Sequence, residues 1–275
     1  MARWRSYLQH SAAALALLVV AACAVRQPSP PPPAPPPPAP VALPWTTAIG
    51  ALQNLSRTQT CTATLVARDV IVTAAHCLAN GTPELQGREF VFLPNEGASP
   101  SLLPLRVLGI QAVGSKLRQG VIDQDEAVGD WALLRIEPAP DKLQPVAVND
   151  LTFEQIQARL VAGDHFFSGG YGTPGRLMFR QHDNCAIVDG GKVHQFLDDG
   201  LIASDCIVRP RDSGGPMVMV DILGRPHLIA IISGIGAPFS NHSFGIGVEA
   251  RVFLPYLKAV PISLMDPVGK LAPAG

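Results

Sequence analysis

Charged side chains are scarce in this chain, and neither sign dominates. They make up 16% of the 275 residues, with 21 lysines and arginines against 22 aspartates and glutamates. A protein that binds nucleic acid usually carries a basic excess on one face. The near balance of charge therefore predicts a protein with no nucleic-acid partner.

Long apolar runs of membrane-spanning length are also missing. An apolar core near the N-terminus extends from about Ala12 to Ala22, which is short for a transmembrane helix of about 20 residues. Arg3 and Arg5 precede this core. A basic region followed by a short apolar core is typical of an export signal, so we expect residues 1–22 to be a signal peptide.

The end of that segment, "VAAC" at Val20–Cys23, resembles the bacterial lipobox, whose cysteine is lipidated and becomes the first residue after cleavage. Ordinary cleavage near Ala22–Ala24 is the alternative. The chain has five cysteines, an odd number for an exported protein, and four remain to pair if Cys23 carries a lipid. We therefore expect a lipoprotein of the bacterial cell envelope, facing the periplasm or the cell surface, with the outer membrane favoured.

Proline dominates the segment Gln27–Pro44, which contains 11 prolines. Such a run cannot form a helix or a sheet and favours an extended polyproline conformation. At about 3.1 Å per residue, the segment after Cys23 would reach roughly 60–70 Å. It could serve as a ligand for an aromatic groove, but we expect residues 23–45 to be a lipid-anchored spacer.

Motifs that bind metal ions are absent as well. The sequence contains no Cys-x-x-Cys pair and no His-Glu-x-x-His motif, and "HDNC" at His182–Cys185 is a weak signal by itself. We therefore expect neither a metal nor a cofactor.

What the chain does contain, after the spacer, is a series of short apolar runs separated by turn residues. They are rich in β-branched side chains, as strands are. These runs are Cys61–Ala67, Val70–Ala75, Glu89–Leu93, Trp131–Ile136, Pro216–Val220 and His227–Ile235. Together with 25 glycines and 27 prolines, they predict an all-β fold of antiparallel barrels or sandwiches.

Two segments have helical patterns. Asn149–Leu160 has apolar side chains at helical spacing, and Asp150 or Thr152 is the candidate N-cap. Val252–Val260 is the second, and there Pro255 suits a first helical turn.

Three separated residues have the chemistry for acyl transfer. His76 lies in "VTAAHC", Asp130 precedes the predicted strand "WALLRI", and Ser213 lies in "DSGGP". A serine nucleophile needs a base that takes its proton and a carboxylate that orients this base. Each residue alone is commonly a packed histidine, a turn aspartate or a loop serine, but together they predict a nucleophile, a base and its orienter.

Further motifs around these residues resemble those of chymotrypsin-type (trypsin-like) serine proteases over residues 46–260. They are "CTATLVARDVIVTAAHCL" around His76, "FSGGYG" at Phe167–Gly172, "ISGIG" at Ile232–Gly236 and "GVEARV" at Gly247–Val252. The resemblance implies a monomeric serine endopeptidase that acts on proteins or peptides.

The fold that this resemblance implies is two antiparallel six-stranded β-barrels, with the site in the cleft between them. The first barrel would occupy about 46–148 and the second about 160–260, ending in a short helix, and residues 261–275 would form a tail. The family's disulfide beside the catalytic histidine implies Cys61–Cys77. Cys185–Cys206 is then a plausible second bridge.

Departures from the family pattern concern activation. Trypsins are switched on when a new Ile-Val-Gly-Gly terminus inserts beside the acid before the serine, but here the domain opens with "PWTTAIGAL" at Pro44–Leu52. Asp212 must then have another partner. Arg209 stands where trypsins have a cysteine, whereas the position of Cys206 resembles the bacterial glutamyl-endopeptidase-like branch, which lacks this switch.

The same comparison bears on the specificity pocket. Ile207 stands where trypsins have the pocket aspartate, and Ile232 stands where glutamate-specific relatives have a histidine. We expect a neutral, apolar pocket with Ile207, Ser233 and Gly247 nearby. An insertion in the loop would instead bring Asp205 into the pocket.

Arg211 occupies the position of a family glycine. By resemblance, the backbone N–H groups of Arg211 and Ser213 form the oxyanion hole. A side chain makes a positive φ costly there, so we expect a slow or partly pre-formed site. The alternative is a catalytically silent protease fold that serves as a binding module tethered to the bacterial envelope.

Overall fold

A computed structural model describes residues 44–56, 59–78, 89–95, 103–114, 124–172, 178–182, 185–188, 197, 199–239 and 242–258. The predicted signal peptide, Cys23, most of the spacer and the predicted tail lie outside these ranges. In the described part of the chain, no helix has the length and apolar character needed to span a membrane.

The first half of the described chain forms a closed antiparallel barrel with strand order β1-β2-β3-β6-β5-β4. Its strands are β1 (Ile49–Asn54), β2 (Thr60–Ala67), β3 (Val70–Thr73), β4 (Phe90–Pro94), β5 (Leu105–Val113) and β6 (Ala132–Ile136). Closure pairs every strand on both sides, so the barrel has no exposed edge. The six-stranded first barrel is confirmed.

The second half forms a seven-stranded sheet with the order β10-β13-β12-β11-β8-β9, and β7 pairs with β12 beside this path. The strands are β7 (Ala147–Val148), β8 (His165–Gly170), β9 (Arg180–His182), β10 (Leu201–Ser204), β11 (Pro216–Val220), β12 (Pro226–Phe239) and β13 (His242–Glu249). An isolated bridge from Ile187 to Ser204 links the chain after β9 to β10. The sheet thus curls back towards itself.

One strand differs from the predicted division of the chain. The prediction placed residues up to 148 in the first barrel, but β7 pairs in parallel with β12, with Leu228 opposite Val148. The reason is that the chain crosses to the second sheet before the helix at Phe153–Val161 begins.

All five residues of β11 are buried, and successive side chains point to opposite faces of the sheet. Val218 and Val220 belong to the large core cluster that fills the first barrel and continues into the second sheet. Met217 and Met219 belong to a smaller cluster inside the second sheet. The strand that follows Ser213 is therefore held on both faces.

Helix α1 (Phe153–Val161) begins with a capping box, in which the Thr152 hydroxyl accepts a hydrogen bond from Gln155 N–H and the Gln155 side chain accepts one from Thr152 N–H. Of the two predicted caps, Asp150 and Thr152, the structure therefore has Thr152. The capping box supplies partners for backbone N–H groups that the first helical turn cannot bond internally.

Helix α2 (Ala250–Lys258) corrects a prediction. The helix continues directly from β13 and begins two residues earlier than predicted, so Pro255 lies inside it and not in its first turn. Phe253 is buried and lies 6.1 Å from Trp131, between ring centroids. The helix thereby packs beside the start of β6.

Candidate active site

The barrel register brings His76 and Asp130 together. Strands β3 and β6 are antiparallel, and Thr73 pairs with Ala132. The chain therefore leaves β3 and enters β6 at the same end of the barrel. His76 lies just beyond β3, in a 3₁₀ helix at Ala75–Leu78, and Asp130 lies just before β6.

Asp130 holds His76 by two atoms. One carboxylate oxygen accepts a hydrogen bond from the His76 backbone N–H at 2.9 Å, and the other lies 2.9 Å from the ring nitrogen Nδ1. The Asp130 side chain is fully buried, whereas 27% of the His76 side chain is exposed. This arrangement fixes the ring and directs its second nitrogen, Nε2, away from the carboxylate.

Ser233 adds a third donor to the same carboxylate. Its hydroxyl donates a hydrogen bond to Asp130 Oδ2 at 2.5 Å. Ser233 lies where the register between β12 and β13 shifts, between Ile232 and Gly234. Such an irregularity redirects a side chain away from the regular alternation of the strand, and here it joins the second sheet to the first barrel.

The loop that carries Ser213 is fastened to both halves of the fold. Thr62 N–H of β2 donates to the Ser213 carbonyl at 2.9 Å, and Gly214 N–H donates to the Ile232 carbonyl at 2.7 Å. Gly214 has φ +79°, and a Cβ there would lie 2.2 Å from the Thr62 carbonyl oxygen. Only glycine fits this crossing, which explains the first glycine of "DSGGP".

Arg211 has φ +82°, and no other non-glycine residue of the described chain has a positive φ. Its carbonyl accepts a hydrogen bond from the Thr62 hydroxyl at 2.8 Å. A left-handed conformation costs a residue with a side chain about 1–2 kcal/mol. The structure therefore places this strain in the folded protein itself.

Asp212, the residue before Ser213, is fully buried and has several donors. It accepts hydrogen bonds from Gly172 N–H at 2.7 Å, from Arg209 N–H at 2.8 Å and from the Arg180 guanidinium at 3.2 Å. His182 Nε2 lies 3.8 Å from the same carboxylate. The buried charge is thus compensated from within the chain, chiefly by β9 and two backbone N–H groups.

Both disulfides join the pairs of cysteines that the sequence predicts. Cys61–Cys77 connects β2 to the short helix that carries His76, and Cys185–Cys206 connects the chain after β9 to the chain after β10. Disulfides form and persist outside the reducing cytosol, so they indicate an extracytoplasmic protein.

One group of candidate metal ligands lies at this site. Donor atoms of Cys61, His76 and Cys77 come within 4.8 Å of one another. Both sulfur atoms are joined in the disulfide, so neither is a thiolate that would bind a metal. These residues therefore do not fit a metal ion.

A small pocket lies in the second sheet, and part of its lining precedes the Ser213 loop in the chain. Its lining residues come from the chain after β10 and from β12 and β13. They are Asp205, Cys206, Ile207, Val208, Ile235, Phe244 and Gly245.

Of the three residues expected around the specificity pocket, Ile207 is among this lining, and so is the alternative residue Asp205. Ser233 instead directs its hydroxyl to Asp130. A Cβ on Gly247 would meet the Met217 sulfur at 2.9 Å, so Gly247 faces the smaller core cluster.

Sequence reasoning missed two parts of this site. It left the partner of Asp212 open, and Arg180 is separated from Asp212 by 32 residues, with no motif that links them. It assigned Ser233 to the pocket, and not to the carboxylate of Asp130. A signal for Ser233 existed in "ISGIG", since a glycine next to a strand serine favours a bulge.

Comparison with known families gives one match over most of the chain. The family model described as Trypsin matches residues 37–260. No curated protein matches the sequence.

Proposed function

Because the chain belongs to the trypsin family, we propose that it is a serine endopeptidase that hydrolyses peptide bonds through an acyl-enzyme intermediate. The observation that carries the proposal is that buried Asp130 contacts both the backbone N–H and the ring Nδ1 of His76. These two contacts support an imidazole held in one tautomer, with Nε2 available as a base.

Ser213, His76 and Asp130 have the roles of nucleophile, general base and orienter in this proposal. The Ser213 hydroxyl attacks the carbonyl carbon of the substrate while His76 takes the hydroxyl proton. His76 then gives this proton to the leaving amine, and the acyl group stays on Ser213. A water molecule, deprotonated by His76, then attacks the ester carbonyl. His76 returns that proton to the Ser213 oxygen as the bond to the acyl group breaks and the carboxylic acid is released.

The backbone N–H groups of Ser213 and Arg211 are proposed to stabilise the oxyanion. Donors that are already in place lower the energy of the tetrahedral intermediate, because no dipole has to reorient during the reaction. This role is supported by Thr62, which donates hydrogen bonds to the backbone carbonyls of both residues. A backbone held at its carbonyl groups keeps its N–H groups in fixed directions.

A fluorophosphonate probe tests the proposal directly, because it labels only an activated serine. We expect the full-length protein to be labelled and Ser213→Ala to remain unlabelled. His76→Ala should lose labelling while its thermal unfolding stays cooperative. A folded wild type that resists the probe would instead indicate a silent binding module.

We further propose that the pocket in the second sheet receives an apolar side chain of the residue before the scissile bond. Its walls include Ile207, Val208, Ile235 and Phe244. Asp205 is the one carboxylate in the lining, and its Oδ1 already accepts the Ala186 N–H at 2.5 Å. Peptides with leucine at this position should be cleaved faster than peptides with lysine, whereas a lysine preference that Asp205→Asn abolishes would contradict the assignment.

A lipid anchor at Cys23 and the proline-rich spacer complete the proposal. They would tether the peptidase to the bacterial envelope and let it reach substrates away from the bilayer. The "VAAC" motif and the four remaining cysteines, which form two bridges, support this part.

A further inference from the structure

The side chain of Arg211 has no role in the chemistry proposed so far. Only its backbone N–H is needed, and glycine would supply the same N–H without strain at φ +82°. The other positive φ values in the described chain belong to glycines, at Gly163, Gly200, Gly214 and Gly224. A strained residue next to a reactive serine indicates that its side chain has a use.

The charge of Arg211 is available to a ligand. Its residue is exposed, and among the residues that the structure describes no carboxylate forms an ion pair with it. The two buried carboxylates of the site have other donors. Asp212 is held by Arg180 and by backbone N–H groups, and Asp130 by His76 and Ser233.

The position of Arg211 identifies the side of the site that it serves. Its carbonyl is bound to Thr62, which follows Cys61, and the Cys61–Cys77 bridge leads to the helix of His76. The backbone of Arg211 is therefore anchored to the first barrel. The proposed pocket for the residue before the scissile bond is built by the second sheet, so in this proposal the leaving group extends away from that pocket, towards the first barrel.

We propose that the Arg211 guanidinium binds an acidic side chain within the first two residues after the scissile bond. This rests on the proposed peptidase function and specifies its substrate class. A guanidinium presents a planar fork of N–H donors that matches a carboxylate with two parallel hydrogen bonds. This ion pair between Arg211 and the substrate forms on the leaving-group side and breaks when the amine product departs.

Matched peptides test the proposal in the full-length protein. A peptide that the wild type cleaves, identified in a digest of denatured casein, is remade with glutamate, glutamine or lysine at each of the two positions. We expect kcat/KM to be about fivefold higher for the glutamate than for the glutamine form at one of them, the upper range for an exposed ion pair. High salt should reduce this ratio.

Three variants separate the side chain from other effects. Arg211→Gln should bring the glutamate-to-glutamine ratio close to one, and Arg211→Glu should favour the lysine form. Because each ratio is taken within one variant, changes in the oxyanion hole cancel. Arg68→Gln removes the same charge from an exposed pair with Asp141, about 20 Å along β2 from Thr62, and should keep the wild-type ratio.

Two results would overturn the proposal, namely a wild-type ratio of one at both positions, or a ratio that persists in Arg211→Gln. Labelling of Ser213 by the fluorophosphonate probe in the same preparation distinguishes the causes. A labelled enzyme without the acidic preference refutes only the role of Arg211. An unlabelled enzyme refutes the peptidase function and, with it, this inference.

Discussion

Single residues at the site differ in how far the sequence predicts them. His76, Asp130 and Ser213 were identified by residue type, order and motif, and the β3–β6 register explains how His76 and Asp130 meet. The direction of the Ser233 hydroxyl was not predicted, because it depends on an irregularity between two strands. Local motifs thus predict chemistry, while the contacts between them depend on register.

Asp130→Asn should lower kcat on the order of 10⁴-fold, because an amide in this place favours the wrong tautomer of His76. The fold should persist, since asparagine has nearly the same shape. Peptide hydrolysis and thermal unfolding check the two parts. Because the three residues are proposed to act as a unit, combining this change with Ser213→Ala should cost little beyond Ser213→Ala alone. Near-normal hydrolysis by Asp130→Asn would show that another carboxylate orients His76.

Arg211→Gly should stabilise the folded protein. Relief of the left-handed strain gains about 1–2 kcal/mol, and the added freedom of glycine in the unfolded chain offsets about 0.5–1 kcal/mol of this. The remainder corresponds to a rise in Tm of a few degrees, about 2–4 °C per kcal/mol for a domain of this size.

Arg209→Gly is the matched control for that rise. Arg209 is also an exposed arginine of this loop, but it is not among the residues with positive φ. Glycine there gains no relief of strain and should lower Tm slightly. An unchanged or lower Tm for Arg211→Gly would show that Arg211 is not strained.

At the scale of elements, regular patterns were predicted well. The six apolar runs are all strands, and the capping box at Thr152 begins α1. Pro255 was misplaced because α2 continues from β13 without a separate start signal. The pairing of β7 with β12 was not predictable either, since two residues carry no periodicity.

Strand β9 supplies the partner that Asp212 lacks in the sequence pattern, and we expect Arg180→Met to weaken the site. Removing one member of a buried pair costs about 3–5 kcal/mol, but 26% of the Arg180 side chain is exposed and backbone N–H groups remain. We therefore expect a loss of about 1–3 kcal/mol and at least tenfold slower fluorophosphonate labelling.

Arg106→Met is the control, because it breaks a more exposed ion pair with Glu137. It should change neither the free energy of unfolding nor the rate of fluorophosphonate labelling appreciably. Equal behaviour of the two variants would show that Asp212 does not depend on Arg180. The resemblance to the glutamyl-endopeptidase-like branch, which was inferred from the position of Cys206, stays a prediction.

The turn between β11 and β12 contains a carboxylate that links stability to pH. The pKa of Asp221 lies well below its ordinary value of 3.8, chiefly because its carboxylate accepts a hydrogen bond from the Arg225 backbone N–H. The Arg225 guanidinium and the Leu223 N–H donate to the same carboxylate. A lowered pKa in the folded state means that this contribution is complete above pH 3.8 and is lost as the pH falls below it.

Asp221→Asn should accordingly lower Tm at pH 7, and the difference from wild type should shrink below pH 3.8, where the unfolded wild type takes up its proton. Thermal unfolding between pH 7 and pH 2 measures this. Asp141→Asn, in an exposed pair with Arg68, should show little difference at any pH. A difference in Tm between wild type and Asp221→Asn that stays constant with pH would show that the charge of Asp221 is not the cause.

At the scale of the whole molecule, the structure accounts for the described fold and not for the chain before it. The barrel and the second sheet are held by buried apolar strands and two disulfides. Residues 1–43 contain a short apolar stretch and then mostly proline and alanine, and they lie outside the described part of the chain. Their role was therefore predicted from motif and composition, and the fold does not bear on it.

If the proposed anchor exists, Cys23→Ser should separate the protein from the membrane. The thiolate of Cys23 is the only group in "VAAC" that can carry the lipid, so serine blocks lipidation and the processing that depends on it. We expect wild type in the detergent phase of a cell fraction, with Cys23 as its modified N-terminus, and Cys23→Ser in the aqueous phase or retained as unprocessed precursor. Because the four other cysteines pair with each other, both disulfides and the fluorophosphonate labelling of any released protein should be unchanged. A mature N-terminus at Val25 or later would rule out the anchor, because the cysteine that must bear it would then have been removed.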